Sequence, residues 1–258
     1  MPQSRLVQAL KSVRYAPQVA NWAAIGAAAW QGHEVASLHL RNGVVLNGAP
    51  RSRMMMLYKE IWYRDVYRLR SEPLPSGATV IDIGANIGVF ALYAATLGRA
   101  ARVLCYEPFP DSCDALRQNA ARNHLPALQA FQMAVTGRSG QRQLQVGDCD
   151  GWNTMFGTAS QPSMMVECTT LAEILEQQRV ARCDFLKVDC EGAEFEILLE
   201  TPRPALAHVA RVALEYHDNL TPHRHEELVD YLRAAGFVVR LEGDPHEPTG
   251  YLFARRST

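Results

Sequence analysis

The stretch "VIDIGANIGVF", residues 80–90, decides the fold. β-Branched residues fill a short apolar run, and Gly84, Asn86 and Gly88 follow it within five positions. This order predicts a buried strand, a tight turn with little side chain, and then a helix. A backbone exposed in this way at a strand end can approach a dinucleotide, a phosphate or S-adenosylmethionine closely.

The glycine spacing helps to separate these three ligands. A dinucleotide fingerprint needs G-x-G-x-x-G, and a phosphate loop needs a lysine after its last glycine. This chain has Gly84-x-x-x-Gly88 with no lysine nearby, and Asp82 suits the cationic side of S-adenosylmethionine. The next strand ends in "CYEPFP", where Glu107 could accept hydrogen bonds from both ribose hydroxyls. The residues favour S-adenosylmethionine and leave a nicotinamide cofactor open, since such folds share the strand-end carboxylate.

From Thr79 onward, strand and helix patterns alternate at short spacing. They predict an α/β fold with parallel strands and right-handed crossovers, in which residues 128–135, "LQAFQMAV", form the third strand. The last two patterns, "FVVRLEG" and "TGYLFARR", predict a C-terminal antiparallel hairpin. The core is therefore expected to be a doubly wound sheet of seven strands, which binds its ligand at the carboxyl ends of the strands.

We divide the chain into two regions. Residues 71–258 form the predicted ligand-binding domain, and residues 1–70 form an N-terminal extension. The extension contains an apolar helical stretch and a hairpin that turns at Asn42-Gly43, and it could serve as a lid or as the contact of a homodimer. A long loop over residues 147–163, with Trp152 and Phe156, could cover an acceptor or pack on its own core.

Composition limits the partners that we expect. The formal net charge of −1 gives no reason to expect a polyanion. Six cysteines without a C-x-x-C pair indicate a reducing cytoplasm, and no apolar run is long enough for a bilayer. The five arginines between residues 51 and 70 are typical of a solvated face, with RNA methylation as the rival interpretation.

Four segments carry a resemblance to a known family. They are "VIDIGANIGVFALYAA", "VLCYEPFPDSCDALRQNAARN", "QMAV" and "DFLKVDCEGAEFEIL". From about Met55 to Gly236 the chain resembles the FkbM family of S-adenosylmethionine-dependent methyltransferases, whose K-[IV]-D-x-E-G-x-E signature is close to "LKVDCEGAE". The resemblance implies a class I methyltransferase fold, Rossmann-like, and methylation of hydroxyls on sugars, lipids or natural products.

The resemblance also implies a donor pocket built from residues at the strand ends. Asp189, after the fourth strand, would face the point where the transferred methyl lies. The implied contacts are Asp82, Gly84, Asn86 and Gly88 with the methionine half, Glu107 with the ribose, Pro108, Phe109, Met133 and Ala134 with the adenine, and Asp189 and Glu60 with the pocket.

A hydroxyl acceptor is a poor nucleophile until its proton leaves, so a base or a metal is expected beside Asp189. His217, in "LEYHDNL", is the first candidate base because the pKa of imidazole lies near neutrality, and Glu191 is the alternative. Asp189, Asp218 and Asn219 could instead hold Mg²⁺, although no metal is assigned. The predicted activity is O-methylation of a small molecule, with N-methylation and donor binding without turnover as alternatives.

Overall fold

The computed structural model describes Val7 and residues 10–49, 52–145, 162–244 and 247–256. The strands are β1 (Ser37–His39), β2 (Val45–Asn47), β3 (Thr79–Ile83), β4 (Arg102–Tyr106), β5 (Leu128–Phe131), β6 (Ala134–Val135), β7 (Gly140–Gln145), β8 (Ser163–Thr169), β9 (Phe185–Val188), β10 (Arg211–His217), β11 (Phe237–Glu242) and β12 (Thr249–Arg256). The helices are α1 (Trp22–Gln31), α2 (Met54–Tyr58), α3 (Val89–Thr96), α4 (Pro110–Arg122), α5 (Leu171–Gln177), α6 (Glu194–Glu200), α7 (Arg203–Leu206) and α8 (His225–Ala234), with a 3-10 helix at Ser12–Tyr15 and a π-helix at Lys59–Tyr63. None of these described helices has the length and apolarity of a bilayer-crossing segment.

The main sheet contains seven strands in the order β5-β4-β3-β9-β10-β12-β11. Only β12 runs antiparallel to its neighbours, β10 and β11, and the other pairs are parallel. The central strands are apolar on both faces because helices cover both sides of the sheet, and four of the five residues of β3 are buried. The predicted seven-stranded, doubly wound sheet with its terminal hairpin is confirmed. Its order reverses beside β3, which is where such sheets bind ligands.

The prediction of one continuous third strand over residues 128–135 is wrong. β5 pairs with β4 in the main sheet, but β6 pairs with β8 in a separate sheet of order β6-β8-β7. The Glu107 N–H donates to the Phe131 carbonyl at 3.1 Å, and Pro108 follows without an N–H. The chain after Phe131 therefore has no further ladder partner on β4. Trp152 and Phe156 of the predicted covering loop lie outside the described residues.

The N-terminal extension packs on helices α3 and α4. The Trp62 indole donates to the Val89 carbonyl at 3.0 Å, and the backbone of the β1-β2 hairpin pairs with the amide side chain of Asn123. Helix α3 is buried all round, from Val89 to Ala94, because the sheet lies on one side and the extension on the other. The predicted helix and hairpin are present, as α1 and β1-β2.

Candidate functional site

The turn after β3 brings three predicted residues together in left-handed backbone conformations. Gly84, Asn86 and Gly88 have φ values of +73°, +49° and +86°. A Cβ on Gly84 would lie 1.7 Å from the backbone oxygen of Asp189, so only glycine lets the ends of β3 and β9 meet here. Gly88 is the N-cap of α3 and lies against the side chain of Leu116.

Glu107 joins this turn to the loop after β4. Its carboxylate is nearly buried and accepts hydrogen bonds from the N–H of Asn86 and the N–H of Phe109, each at 2.9 Å. The two oxygens face two different strand-end loops, so the side chain is fixed where the carboxyl ends of β3 and β4 meet. The sequence placed Glu107 at this edge of the sheet, and the structure adds the contacts that orient it.

Asp82 lies beneath the turn rather than in the pocket. Its side chain is fully buried, and the ammonium of Lys187 lies 3.3 Å from Oδ1. Lys187 also donates to the Gly84 carbonyl at 2.7 Å. Burial would lower the pKa of Lys187, but the charges of Asp82 and Asp189 outweigh it and raise that pKa above its usual value. Asp82 therefore faces the interior, and its influence on a ligand passes through Lys187.

Asp189 follows β9 at the centre of the same edge. Its side chain is one-quarter exposed, and Oδ2 accepts a hydrogen bond from the Tyr67 hydroxyl at 2.9 Å. The Lys187 ammonium lies 3.5 Å from that same oxygen. The charged side chain is therefore held from two directions while remaining partly open to the pocket.

Glu194 holds the loop that follows Asp189. It is fully buried, and its two oxygens accept from the N–H groups of Cys190 and Gly192 at 3.0 and 2.8 Å. These bonds close the loop around Glu191, whose φ of +54° is unusual for a residue with a side chain. The loop is therefore a rigid support and presents Glu191 in a fixed place.

His217, at the end of β10, lies between two carboxylates. Nδ1 is 3.1 Å from Glu194 and Nε2 is 3.7 Å from Glu191. Both ring nitrogens face acceptors, which a doubly protonated ring satisfies. Burial alone would lower the pKa of His217, but the hydrogen bond and charge of Glu194, with Glu191 and Asp189, raise it to about 10.

This charge state bears on the choice of base. A protonated imidazole cannot accept a proton, so the geometry favours Glu191, the alternative, over His217. Burial raises the pKa of Glu191 to about 7, against the lowering effect of His217. A carboxylate with a pKa near the working pH is well matched to general base work.

Two further carboxylates, Glu60 and Glu215, lie near enough to Asp189 to feel its charge. Burial, followed by the charge of Asp189, raises the pKa of Glu60 on the π-helix and raises that of Glu215 on β10 to about 8. Sequence reasoning included Glu60 but missed Glu215 and Tyr67. An acidic residue directly after the apolar run "VAL" of β10 was the available signal for Glu215. This edge of the sheet is therefore rich in carboxylates and suits a positively charged ligand.

The four residues predicted beside the adenine lie on two loops of this edge. Pro108 and Phe109 are half-buried and lead into α4, where Phe109 is the N-cap. Met133 lies between β5 and β6, and Ala134 is buried in β6 opposite Cys168. Their contact with an adenine stays a prediction.

Asp218 and Asn219 follow β10 at its carboxyl end. Asp218 is buried, and its two oxygens pair with the backbone N–H and the Nδ1 of His225 at 2.9 and 2.8 Å. Asn219 is exposed. The contacts of Asp218 thus anchor the start of α8, and the magnesium site that includes Asp189 stays a prediction.

A cavity of about 950 Å³ lies at the opposite end of the sheet. It opens beside Phe185 and Arg211, where β9 and β10 begin. Its arginines include Arg211 and Arg182, which pair with Glu72 and Asp184. Because sheets of this type bind ligands at the carboxyl ends of their strands, this cavity is separate from the candidate site.

The fold and the strand-end residues together define a Rossmann-like α/β protein whose candidate site lies at the point where the strand order reverses. Residues 82–239 match the family described as the methyltransferase FkbM domain. That match covers more than half of the 258 residues, and the chain belongs to the FkbM methyltransferase family. The resemblance found in the sequence is thereby confirmed.

Two relatives are similar in sequence to more than four-fifths of this chain. The 31-O-demethyl-FK506 methyltransferase FkbM of Streptomyces tacrolimicus is 28% identical over 243 residues, which cover 82% of this chain and 92% of that protein. The AMB antimetabolite synthetase AmbE of Pseudomonas aeruginosa is 27% identical over 83% of this chain, which spans only 11% of the synthetase. The crystal structure of methyltransferase FkbM from Methylobacillus flagellatus KT is 17% identical, with a TM-score of 0.48 over 76% of this chain and 47% of that chain.

Proposed function

We propose that this protein uses S-adenosylmethionine to methylate a hydroxyl group of a small molecule. The observation that carries the proposal is Glu107, whose carboxylate is fixed between the Asn86 and Phe109 N–H groups where two adjacent strands end. A carboxylate fixed at the end of the second strand is placed to accept hydrogen bonds from the hydroxyls of a ribose. Relatives named as O-methyltransferases support the choice of oxygen; one is the 2-O-methyltransferase NoeI of Sinorhizobium fredii, 24% identical over 53% of this chain.

The charges around Asp189 support this donor over a dinucleotide. S-adenosylmethionine carries a positive sulfonium and an ammonium, whereas a dinucleotide carries a negative pyrophosphate. Burial raises the pKa values of Glu60, Glu191 and Glu215, and the charge of Asp189 raises all three further. These carboxylates would therefore line an acidic pocket. Such a pocket repels a pyrophosphate and attracts a cation. In this layout the glycine turn from Gly84 to Gly88 would lie against the methionine half, and Glu107 would hold the ribose.

Bound S-adenosylmethionine would supply an electrophilic methyl group. Residues of this chain would then hold the acceptor hydroxyl in line and remove its proton, and positioning supplies much of the acceleration. Glu191 is the base in this proposal because it is held by the loop that Glu194 closes and faces His217. His217 would remain an imidazolium and stabilise the ionised form of Glu191.

Donor binding tests the proposal without a known acceptor. Titration calorimetry should detect binding of S-adenosylmethionine and S-adenosylhomocysteine, and no binding of NADH. Glu107→Ala should weaken both nucleosides by about 1.5–3 kcal/mol, or roughly 10–150-fold in Kd, because the ribose is common to them. Glu176→Ala, at an exposed position of α5, is the matched control and should bind like the wild type.

Two outcomes would contradict parts of the proposal. Wild-type protein that binds NADH but neither nucleoside would contradict the donor assignment. Donor binding without methyl transfer to any member of a panel of hydroxylated sugars, lipids and natural products would favour a binding protein. Transfer only to amines would replace the oxygen acceptor by nitrogen, and transfer only to RNA would replace the small molecule.

A further inference from the structure

Tyr67 reaches the site from the segment that precedes the sheet. Only 2% of its surface is exposed, and its hydroxyl donates to Asp189 Oδ2 at 2.9 Å across 122 positions of the chain. The ammonium of Lys187 lies 3.5 Å from that same Oδ2. One oxygen of Asp189 is therefore engaged by both a hydroxyl and a cation.

The ring of Tyr67 is placed by contacts that do not involve its hydroxyl. It packs edge-on against Phe90 and Tyr251, with ring centroids 5.1 and 6.2 Å apart. The Lys187 ammonium lies 5.9 Å from the ring centroid. A phenylalanine at this position keeps these ring contacts, so the hydrogen bond to Asp189 can be removed by itself.

Asp189 is the second of two carboxylates beside Lys187. The lysine is shared with the fully buried Asp82, whose Oδ1 lies 3.3 Å from the ammonium, closer than Asp189. Within the described part of the chain, the contacts of the Asp189 carboxylate fall on Oδ2. Its side chain is also one-quarter exposed, which Asp82 is not. Oδ1 is thus available for a ligand cation.

We propose that Tyr67 is a positioning residue, which holds Asp189 Oδ2 so that Oδ1 faces the sulfonium of the bound donor. This inference rests on the proposed function, because it assumes S-adenosylmethionine as the ligand. It also makes the segment before β3 a part of the donor site, although the division at residue 70 assigned that segment to the extension. A hydroxyl that fixes a carboxylate in this way reduces the ordering needed when the cation binds.

A comparison of the charged donor with its neutral product tests this role. S-adenosylhomocysteine shares the ammonium, ribose and adenine but lacks the sulfonium charge. By titration calorimetry, Tyr67→Phe should raise the Kd of S-adenosylmethionine about three- to tenfold, because the free protein also loses the hydrogen bond and only the cost of ordering Asp189 on binding is added. The Kd of S-adenosylhomocysteine should change less than about threefold. Tyr63→Phe, at a partly exposed tyrosine of the π-helix, is the matched control and should leave both values unchanged.

A double-mutant cycle separates positioning from a general structural effect. Asp189→Asn should itself weaken S-adenosylmethionine more than S-adenosylhomocysteine, and Tyr67→Phe should add no further loss in that background. An equal loss in both backgrounds, or wild-type affinity of Tyr67→Phe for S-adenosylmethionine, overturns the inference. If Tyr67→Phe does not fold, an unchanged ratio of the two affinities in Asp189→Asn overturns it independently.

These results are distinguishable from a failure of the proposed function. Wild-type protein that binds neither nucleoside contradicts the proposed function. Wild-type binding that Glu107→Ala weakens and Tyr67→Phe leaves intact contradicts only the role of Tyr67.

Discussion

Replacement of Gly84 by alanine should destabilise the fold itself, whether or not a ligand is bound. The new Cβ would lie 1.7 Å from the Asp189 carbonyl oxygen, and φ at this position is +73°. A left-handed conformation costs an alanine about 1–2 kcal/mol, and a backbone shift to relieve an overlap typically costs about 1–3 kcal/mol. The sum is about 2–5 kcal/mol, or roughly 4–20 °C in Tm for a chain of this size.

The assay is urea or thermal unfolding without ligand, with Gly77→Ala as the matched control. Gly77 has a φ of +80° but no atom within 4 Å of its added Cβ. It should therefore lose only the conformational part, about 1–2 kcal/mol. Equal losses in the two variants would refute the reasoning that Gly84 is required by the contact between β3 and the loop after β9. If Gly84→Ala had wild-type stability but did not bind the donor, glycine would be required at this position for ligand binding and not for folding.

Two further predictions concern the buried charges. The pKa of His217 is raised from 6.5 to about 10, so its stabilisation is complete below about pH 6.5 and is lost as the pH rises towards 10. Between pH 8 and 10, the free energy of unfolding should therefore fall less in His217→Gln than in the wild type. This range lies at or above the raised pKa values of Glu191 and Glu215. If the free energies of the two proteins fell in parallel over this range, His217 would not be charged. Lys187→Met should cost about 3–5 kcal/mol in urea unfolding, because it leaves Asp82 buried without its counter-ion. Asp82→Asn should restore most of that loss in the double variant, and no restoration would disprove the pairing.

The seven core strands and the terminal hairpin were predictable because they depend on local patterns. Apolar runs such as "TVIDIG" and "RVALEYH" are bounded by turn residues, and short alternating elements leave few allowed topologies. The division of residues 128–135 was not predictable from periodicity. β5 and β6 are both apolar and adjacent, and what separates them is the end of a different strand at Pro108. Such a boundary depends on which strands pair with each segment, and the sequence of the segment alone does not show its pairing partners.

The site was predictable to a similar depth. Glu107 and Asp189 could be placed because each directly follows an apolar strand. The inward orientation of Asp82 and the charge of His217 depend on partners that are distant in the sequence, Lys187 for the first and Glu194 for the second. Tyr67 gave no signal at all, since its partner lies 122 residues away.

The contacts of the charged residues explain why the signature "LKVDCEGAE" has this spacing. Lys187, on the strand, points beneath the glycine turn to the Gly84 carbonyl and to Asp82. Two positions later Asp189 meets Tyr67, and Glu194 turns back to fasten the backbone of its own loop. Glu191 faces His217, the same histidine that contacts Glu194. The spacing K-x-D-x-E-G-x-E therefore follows from geometry: Lys187 and Asp189 are two positions apart and reach the same side of the strand end, and the positive φ of Gly192 lets the loop turn back to Glu194.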